Sequence, residues 1–290
     1  MITHQGDPDH AEQNATLIEI AEDDSLRSLH VRRLVQNIAG GDVAPGPTIP
    51  KVIVQFWHDA TDVPNDVREC LDSWRPLEEE GFKQVLFDDQ RARHFIEARF
   101  DRDRVAAFDR CGHPAMRSDF FRLCFMMAVG GMYVDADDCY LGTGMTDLTT
   151  DSSLKLHPLC YDINQASMID TRTFVQERQD SPDWIFYVNN NPLISPAGHP
   201  VMQLALARAT RLLLGSRGPY DIQSTTGPGN LTACLVHHAV AQEVAGEVPD
   251  FTLLDDWEVR SISRWPLSYR NDSRNWRLWD PSTDAGDPST

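Results

Sequence analysis

The sequence contains very little lysine, only Lys51, Lys83 and Lys155 among 290 residues, so arginine supplies most of its positive charge. Acidic residues outnumber basic ones, 44 against 26, which gives a formal net charge of −18 at pH 7. A nucleic-acid-binding protein needs a basic surface, and so does a protein held on anionic lipid by charge alone. The overall charge argues against both classes, although a local basic patch is compatible with it.

Long apolar runs are also missing, and we expect no secretory leader. The longest apolar run, residues 123–134, is too short to span a bilayer. The N-terminus has no basic region followed by an apolar one, so we expect no secretory signal. The six cysteines contain no CxxC pair, which argues against a zinc ribbon or a thioredoxin-like site. A chain of this size does not need disulfides for stability, so we expect reduced thiols and a cytoplasmic location. The short apolar run leads us to expect no transmembrane segment.

The first half of the chain alternates between strand-like and helix-like segments. Three runs rich in β-branched or aromatic residues predict strands, at 51–57, 82–87 and 132–134. Three other segments predict helices, at 88–100, 102–110 and 115–129. This alternation predicts an α/β fold in which helices flank a mainly parallel sheet. Ligands of such sheets bind at the carboxyl ends of the strands.

The second half is less regular and the two ends are polar. Residues 183–195 predict one or two strands broken by an Asn-Pro turn, and helices are predicted from Val201 to about Leu214 and from Leu231 to about Val244. Residues 1–15 and 280–290 are expected to be disordered because they are predominantly polar. We expect an N-terminal helical extension and linker over 16–48 and one main domain over 49–279.

Three aspartates, Asp135, Asp137 and Asp138, follow the predicted strand at 132–134. Three carboxylates within four residues repel one another unless a cation lies between them. A divalent metal ion that carries a diphosphate is the usual solution, which points to an enzyme with a nucleotide-activated donor. A solvated acidic turn is the alternative interpretation, and Asp138 is expected to point to solvent.

The preceding apolar segment carries Asp119 and Arg122, which lie three residues apart and therefore on one helix face. An ion pair within the helix is the structural interpretation of this spacing. A binding role is the other interpretation, because the planar guanidinium of an arginine suits sugar and diphosphate oxygens.

Four blocks, spread over roughly residues 49 to 235, resemble one known family. The blocks are the run Ile49–Trp57 (Ile-Pro-Lys-Val-Ile-Val-Gln-Phe-Trp); Ser73-Trp74 with Phe87–Asp89; Arg117–Asp119 with Arg122 and Gly130–Asp137; and Asn190 with Gly198–Pro200 and Thr226–Pro228. Together they are similar to the family 32 glycosyltransferases, a DXD-containing group that includes the yeast initiating α-1,6-mannosyltransferase and bacterial capsular polysaccharide enzymes. The third block is the most specific, because a lone Asp-x-Asp is common by chance.

The resemblance implies a GT-A type fold for residues 49–279 and a metal-dependent, anomer-retaining hexosyltransferase that uses a UDP- or GDP-sugar. It implies that Asp135 and Asp137 hold Mn²⁺ or Mg²⁺, which stabilises charge on the departing diphosphate. Asp137 is expected to contact the metal directly, and Asp135 also faces ribose or sugar hydroxyls. By the same resemblance, Asp119 binds donor-sugar hydroxyls and Arg122 lies near the sugar or the diphosphate.

Further expectations from the resemblance concern residues outside the acidic block. Trp57 is expected to stack on the donor base, and Gln55 to contact it. Asn190 is expected near the anomeric carbon of the sugar. Ser273 and Trp276 are the nearest match to the Ser-Trp pair that often closes the family's sequences.

Two positions depart from the family pattern. Val54 replaces a histidine of the opening block, and Asp138 replaces an apolar residue after the second aspartate of the DXD motif. Near the fourth block, His199 is interpreted as a helix cap in preference to a catalytic base. Trp74 is interpreted as core packing.

The sequence does not specify the acceptor, which is a glycan, a lipid, a protein or a small molecule. Two other functions remain open. A nucleotidyltransferase would use the same acidic strand end, but neither a GxxxxGK[ST] nor a GxGxxG phosphate loop occurs. A degenerate, non-catalytic binding protein would have lost acidic or arginine positions, whereas Asp119, Arg122, Asp135 and Asp137 are all present.

Overall fold

The structure is a computed structural model, and it describes residues 22–37, 47–215 and 220–279. Both segments expected to be disordered, 1–15 and 280–290, lie outside the described residues, as do 16–21 and 38–46 of the expected extension and linker. Helix α1 (Asp24–Gln36) is the described part of that extension. It joins the main hydrophobic core through Val31 and Val35.

The first half of the chain contains the predicted elements, each within one residue of its expected bounds. They are β1 (Val52–Phe56), β2 (Lys83–Phe87), α3 (Asp89–Arg99), α4 (Arg102–Asp109), α5 (Pro114–Ala128) and β3 (Gly131–Tyr133). One further helix, α2 (Asn65–Asp72), lies between β1 and β2. Side chains before three helices fix their starts, because each accepts a hydrogen bond from a first-turn amide. Asp88 accepts from Arg91 N, Asp101 accepts from Arg104 N, and His113 Nδ1 accepts from Ala115 N.

The second half adds more strands than the sequence predicted. Its elements are β4 (Asp138–Tyr140), β5 (Leu154–Asp162), β6 (Ser167–Ile169), β7 (Trp184–Ser195), α6 (Pro200–Gly215), α7 (Ile222–Thr225), α8 (Pro228–Ala245), β8 (Phe251–Leu253), α9 (Trp257–Arg260) and β9 (Ser261–Ser263). Single 3₁₀ turns lie at Arg75–Glu80, Thr146–Thr149, Ser268–Asn271 and Trp276–Leu278, and a π turn lies at Arg172–Gln176.

The predicted turn at Asn191-Pro192 is wrong, because β7 continues through this dipeptide as one strand of 12 residues. The Asn191-Pro192 peptide bond is cis. Proline has no N–H to donate to a neighbouring strand, so it is normally excluded from the middle of a sheet. Here the pairing of β5 with β7 shifts register between Leu156 and Pro158, which accommodates the interruption.

One seven-stranded sheet organises the molecule, in the order β2-β1-β3-β7-β5-β6, with β8 paired to β5. Strands β2, β1 and β3 are parallel neighbours, and β7 runs antiparallel to both β3 and β5. Because β8 is parallel to β5 and β6 is antiparallel to it, β2, β1, β3, β5 and β8 share one direction. The predicted α/β class with a mainly parallel sheet is confirmed. Strands β4 and β9 form a separate antiparallel pair.

Hydrophobic residues cover both faces of the sheet, since successive side chains of a strand point to opposite sides. On β3, Tyr133 belongs to the large core beneath α5, whereas Met132 belongs to the second core around Trp74 and Trp257. Aromatic rings hold α5 to the sheet: Phe121 and Phe87 have centroids 4.7 Å apart. None of the described helices is long and apolar enough to cross a membrane, and the six cysteines are free thiols in the structure.

The Gly130-Gly131 pair is required at the link between α5 and β3. Both glycines have a positive φ, +75° and +111°. A Cβ on Gly130 would lie 2.6 Å from Ala197 N, and one on Gly131 would lie 2.7 Å from the Val52 carbonyl oxygen. Only glycine accepts such a conformation and such close contact. The pair therefore lets β3 enter the sheet directly beside β1 and delivers Asp135 to the sheet's carboxyl edge.

Candidate active site

A cavity of about 490 Å³ opens at the carboxyl ends of β1 and β3, where ligands of such sheets bind. Its walls come from α5, the turn after β3, the middle of β7 and the C-terminal segment 263–277. The polar and aromatic lining includes Trp57, His58, Ser118, Asp119, Arg122, Asp135, Asp137, Asn189, Asn190, Asn191, Gln223, Trp265, Tyr269, Arg270, Arg274, Trp276 and Arg277. The cavity thus brings together residues that are up to 220 positions apart, from Trp57 to Arg277.

Arg122 lies at the centre of a buried charge cluster. Its Nη2 lies 3.1 Å from Asp119 Oδ1 and 2.9 Å from Asp135 Oδ1. Its Nη1 donates to the Asn190 carbonyl oxygen at 2.6 Å, and the guanidinium lies over the Tyr133 ring, 4.2 Å from the centroid. Burial disfavours the guanidinium charge, but the neighbouring carboxylates outweigh this and raise the Arg122 pKa above its ordinary value. The ion pair within the helix exists, and the same side chain also fixes Asp135.

The carboxylate of Asp119 is held by β7 and by the loop before α8. Asn190 Nδ2 donates to its Oδ1 at 2.8 Å, and Thr226 Oγ1 donates to its Oδ2 at 3.2 Å. Gly227 allows this approach, because a Cβ there would lie 3.1 Å from the Ile222 carbonyl oxygen and 3.4 Å from Asp119 Oδ2. Burial raises the pKa of Asp119 to about 6, even though Arg122 opposes the shift.

Asp138 is buried, so the expectation that it points to solvent is wrong. Only 1% of the residue is exposed. Asn191 joins it to the acidic turn: Asn191 Nδ2 donates to Asp138 Oδ2 at 2.8 Å, and Asn191 Oδ1 accepts from Asp135 N at 3.0 Å. Burial, together with the charges of Asp137 and Asp135, raises the Asp138 pKa well above its ordinary value. Asp138 is the first residue of β4, which pairs with β9.

Asp137 faces the cavity and is bound by two residues of the C-terminal segment. Tyr269 donates its hydroxyl to Asp137 Oδ2 at 2.7 Å, and Arg270 Nη2 forms an ion pair with the same oxygen. The side chains of Arg270 and Asp137 are 14% and 13% exposed, so the pair is largely shielded from water. Burial and the Asp137 charge raise the Tyr269 pKa, which keeps this hydroxyl protonated as a donor.

The C-terminal segment 263–277 is a wall that sequence reasoning missed, apart from Trp276. The guanidinium of Arg270 lies 3.9 Å from the centroid of Trp265. That of Arg277 lies 4.8 Å from Trp265 and 4.5 Å from Trp276, so cations and rings alternate. The available signal was a group of arginines interleaved with aromatic residues in a strongly acidic chain, and three of them, Arg270, Arg274 and Arg277, line the cavity. The cavity therefore carries the local basic patch that the net charge conceals.

Trp57 and Gln55 occupy different positions relative to the cavity. Trp57 lines it and meets the Tyr269 ring edge-on, with centroids 5.2 Å apart. Gln55 is fully buried and does not line it. Its Nε2 lies 3.5 Å from the Asp135 carbonyl oxygen, and its Oε1 accepts from Gln84 at 2.7 Å. Gln55 therefore supports the turn that carries Asp135, and its side chain does not reach the cavity in which a base would bind.

Ser273 and Trp276, the expected closing pair, are also separated. Trp276 lines the cavity and packs against the main core. Ser273 is exposed and does not line it. The Ser273 carbonyl oxygen accepts from His113 Nε2 at 3.0 Å, which anchors the C-terminal segment to the start of α5.

Three residues make contacts that stabilise the fold: His199, Trp74 and Arg117. His199 caps α6, because its Nδ1 accepts from Val201 N at 3.2 Å, and its Nε2 contacts the Asp250 carbonyl oxygen. Trp74 is fully buried and stacks on Trp257. Arg117 forms an ion pair with Asp89 at 2.8 Å, outside the lining of the cavity. The interpretations of His199 as a cap and Trp74 as core are confirmed.

The acidic turn fits a divalent cation that arrives with a phosphate ligand. Among the described residues, no cluster of three or more histidine, cysteine or carboxylate side chains encloses a metal position. Mg²⁺, however, is commonly held by one or two carboxylates plus substrate phosphates. Asp135 and Asp137 supply two carboxylates, and the hydrogen bonds described for each reach only one of its oxygens. The other oxygen of each remains available as a hard ligand.

With this geometry in place, comparison with known proteins becomes informative. Residues 64–154, which contain the buried arginine cluster and the acidic turn, match the family described as "Glycosyltransferase sugar-binding region containing DXD motif". This region of the chain is therefore similar to the DXD-containing glycosyltransferase family. The resemblance identified on the motif Asp135-Ala136-Asp137 and its flanking block is confirmed.

Two curated proteins that are similar to this chain are also named as glycosyltransferases. An initiation-specific alpha-1,6-mannosyltransferase of Candida albicans is 21% identical over 245 residues, which covers 76% of this chain and 62% of the relative. An uncharacterised glycosyltransferase of Acanthamoeba polyphaga mimivirus is 28% identical over 90 residues, covering 31% of this chain and 36% of the relative. The chain therefore spans less than two thirds of the length of either relative.

Among solved structures, the PaToxG glycosyltransferase is similar to this chain with a TM-score of 0.45 and 14% identity. The match covers 91% of this chain and 96% of that one.

Proposed function

We propose that this protein is a metal-dependent glycosyltransferase that transfers a hexose from a UDP- or GDP-sugar to an acceptor with retention of anomeric configuration. The observation that carries the proposal is the convergence of Asp119, Arg122, Asp135, Asp137 and Asn190 on one cavity at the carboxyl edge of the sheet. A nucleotide sugar presents a diphosphate, sugar hydroxyls and an aromatic base. The cavity offers carboxylates and guanidinium groups for the first two and aromatic rings for the third.

In this proposal the acidic turn holds Mn²⁺ or Mg²⁺ through Asp135 and Asp137. Such an ion, when bound, stabilises the negative charge that develops on the departing diphosphate. Arg122 is the positioning residue for the turn, because it binds Asp135 at 2.9 Å and the Asn190 carbonyl oxygen at 2.6 Å. Asp119 and Asn190, hydrogen-bonded to each other at 2.8 Å, present paired acceptor and donor groups suited to sugar hydroxyls.

The retaining outcome is proposed to proceed by attack from the leaving-group side, with the departing phosphate accepting the acceptor's proton. This route needs no separate protein base. The cavity's carboxylates support it, because each already accepts hydrogen bonds: Asp119 from Asn190, Asp135 from Arg122 and Asp137 from Tyr269 and Arg270. In this proposal Asp135 and Asp137 are assigned to the cation, and both oxygens of Asp119 already accept hydrogen bonds, so none of the three is assigned the role of nucleophile for a covalent glycosyl intermediate.

Trp57 and Trp276 are proposed to bound the position of the donor base. Both line the cavity, and the Trp57 indole N–H is already used, donating to the Asp62 carbonyl oxygen at 3.0 Å. That hydrogen bond fixes the ring while leaving its face to stack. Because stacking recognises any aromatic base, the arrangement accommodates both uracil and guanine, and the donor panel should include both.

The test is release of UDP or GDP from a panel of nucleotide sugars in the presence of Mn²⁺. Mannose donors belong in the panel because a relative is named as a mannosyltransferase. We expect hydrolysis or transfer from one donor, lost on chelation and reduced at least about 100-fold in Asp137→Asn, the size expected for loss of a charge-stabilising group. The matched control is Asp103→Asn, the same chemical change at an exposed site on α4, which should retain full activity.

Two results would overturn the proposal. If neither UDP, GDP nor any donor binds with or without Mn²⁺, the cavity is not a nucleotide-sugar site. If a donor is consumed equally well by Asp137→Asn, the acidic turn is not the metal site. Binding of UDP or GDP without turnover would instead favour the non-catalytic alternative.

A further inference from the structure

Arg270 already supplies, at Asp137 Oδ2, the positive charge that a cation bound to the other oxygen of Asp137 would add. Its Nη2 forms an ion pair with Asp137 Oδ2, although 133 residues separate the two in sequence. Tyr269 donates to the same oxygen at 2.7 Å. Asp137 thus has its negative charge compensated by the protein itself.

The surroundings of Arg270 suit a side chain that changes partners. Its guanidinium lies over the rings of Trp265 and Tyr269, 3.9 Å and 5.3 Å from their centroids, contacts that restrain the plane of the group without consuming its N–H donors. Its Nε is buried and has no hydrogen-bond partner among the described residues. A buried donor without an acceptor costs free energy, so an arriving acceptor would gain affinity there. Arg122, on the opposite wall, has an unpartnered buried Nε as well.

A second guanidinium lies beside Arg270. Arg277 lines the same cavity and shares the ring of Trp265 with Arg270. No ion pair is described for Arg277, whereas Arg274 in the same segment is bound to Asp272 at 2.8 Å. Burial and the nearby positive charge of Arg270 lower the Arg277 pKa. An anion bound between the two guanidinium groups would offset their mutual repulsion.

We infer that Arg270 is a diphosphate-binding residue that Asp137 holds in place until the nucleotide arrives. In the free protein it neutralises Asp137. With a nucleoside diphosphate and its divalent cation bound, Asp137 would hold the cation. Arg270 would then turn from Asp137 to the diphosphate oxygens beside Arg277. The inference rests on the proposed function, since it names a further residue for that same site.

This exchange makes a prediction that a structural role for Arg270 does not make. Removing the guanidinium leaves Asp137 without its cation, so a free divalent ion should bind more tightly. Removing it also deletes a donor to the diphosphate, so the nucleotide should bind more weakly once the ion is saturating. The two affinities should change in opposite directions, whereas general damage to the cavity would weaken both.

The experiment measures both affinities for the full chain and for Arg270→Gln. Mn²⁺ alone is titrated by electron paramagnetic resonance, and UDP and GDP are titrated calorimetrically at saturating Mn²⁺. We expect Mn²⁺ alone to bind several-fold more tightly to Arg270→Gln. We expect the diphosphate nucleotide to bind about 10-fold or more weakly, because charge-assisted hydrogen bonds are the strong ones.

Two further variants identify the cause. Arg264→Gln makes the same substitution in the same segment, but the Arg264 side chain pairs with Glu69 and does not line the cavity, so both affinities should stay at wild-type values. Arg270→Lys keeps the charge and loses the planar fork, so Mn²⁺ binding should resemble wild type while nucleotide binding falls. Circular dichroism confirms that each variant is folded.

The outcomes separate this inference from the proposed function. If the wild-type chain binds Mn²⁺ and one nucleotide, but Arg270→Gln alters neither affinity or weakens both, the exchange is refuted while the glycosyltransferase proposal stands. If no variant binds Mn²⁺ or nucleotide, the proposed function fails and this inference fails with it. Opposite changes confined to Arg270 variants would support the exchange.

Discussion

Asn191 Nδ2 donates to Asp138 Oδ2 at 2.8 Å, which ties the end of the acidic turn to the middle of β7. The same side chain accepts from Asp135 N through its Oδ1 at 3.0 Å. One carboxamide therefore sets the position of two of the three clustered aspartates. Asp138 is only 1% exposed, and its carboxylate accepts a hydrogen bond from the Asn191 amide. Without this acceptor the buried amide would be unpaired.

Substitutions should distinguish the role of Asp138 from that of the two aspartates of the DXD motif, Asp135 and Asp137. We expect Asp138→Asn to alter the free energy of unfolding by less than about 1 kcal/mol, because a neutral isostere can still accept from Asn191. Asp138→Ala leaves that amide unpaired and should cost about 1–3 kcal/mol. Nucleotide release should persist in Asp138→Asn and be lost in Asp137→Asn. Urea unfolding and donor hydrolysis check the two arms, and equal loss of activity in both Asn variants would contradict the assignment.

Arg122 and Arg117 provide a matched pair on one helix. Arg122 is buried and binds two carboxylates and a carbonyl group, a pattern that the single ammonium of lysine cannot reproduce. We expect Arg122→Lys to cost about 2–4 kcal/mol of stability, because a buried pair is disrupted. Arg117→Lys alters a partly exposed pair with Asp89 and should cost less than about 1 kcal/mol.

Kinetics should rank these two variants in the same order. Donor turnover should fall strongly in Arg122→Lys, since Asp135 and Asn190 lose their shared anchor, and should be retained in Arg117→Lys. Thermal unfolding and turnover of the donor found for the wild type provide the measurements. Comparable losses in both variants would mean that Arg122 supports only the helix.

Gly227 and Gly215 test whether space beside Asp119 matters. A Cβ at position 227 would lie 3.1 Å from the Ile222 carbonyl oxygen and 3.4 Å from Asp119 Oδ2. We expect Gly227→Ala to cost about 1–3 kcal/mol through overpacking, and to weaken nucleotide-sugar binding. At Gly215, the last residue of α6, no described atom lies within 4 Å of an added Cβ. Gly215→Ala should therefore leave binding unchanged and stability unchanged or slightly higher. Unimpaired donor binding in Gly227→Ala would exclude a role for this close approach.

The raised pKa of Asp119 should be visible in the pH dependence of stability. Burial raises this pKa to about 6 in the folded state, whereas an unfolded aspartate titrates near about 4. The protonated form thus favours folding: the contribution is present below about pH 4 and is lost as pH rises through about 6. Relative to Asp119→Asn, the wild type should lose up to about 3 kcal/mol across that range.

Urea unfolding at several pH values measures this difference. If the wild-type and Asp119→Asn curves run parallel between pH 4 and 7, folding does not raise the pKa of Asp119. The same titration should appear in kcat/KM, which we expect to rise with pH near 6 if the Asp119 carboxylate accepts from a sugar hydroxyl.

Local sequence determined the first half of the fold and the core of the cavity. Caps such as Asp88 and Asp101 mark helix starts, and runs of β-branched or aromatic residues mark β1 and β2, because these signals act over a few residues. Asp119, Arg122, Asp135 and Asp137 were recognisable as one block because they share a single helix–strand unit. The Gly-Gly pair at 130–131 completes this unit, since only glycine permits the turn between them.

Tertiary structure alone decided what surrounds that block. β5 lacks a period-two pattern, since its interior is buried on both faces and contains Lys155, His157 and Pro158, so its sequence did not resemble a strand. The burial of Asp138 depends on Asn191, 53 residues away, and the pairing of Arg270 with Asp137 spans 133 residues. Contacts of that length follow from how the sheet and the C-terminal segment close over the cavity, because no local propensity encodes which distant side chain meets a buried carboxylate.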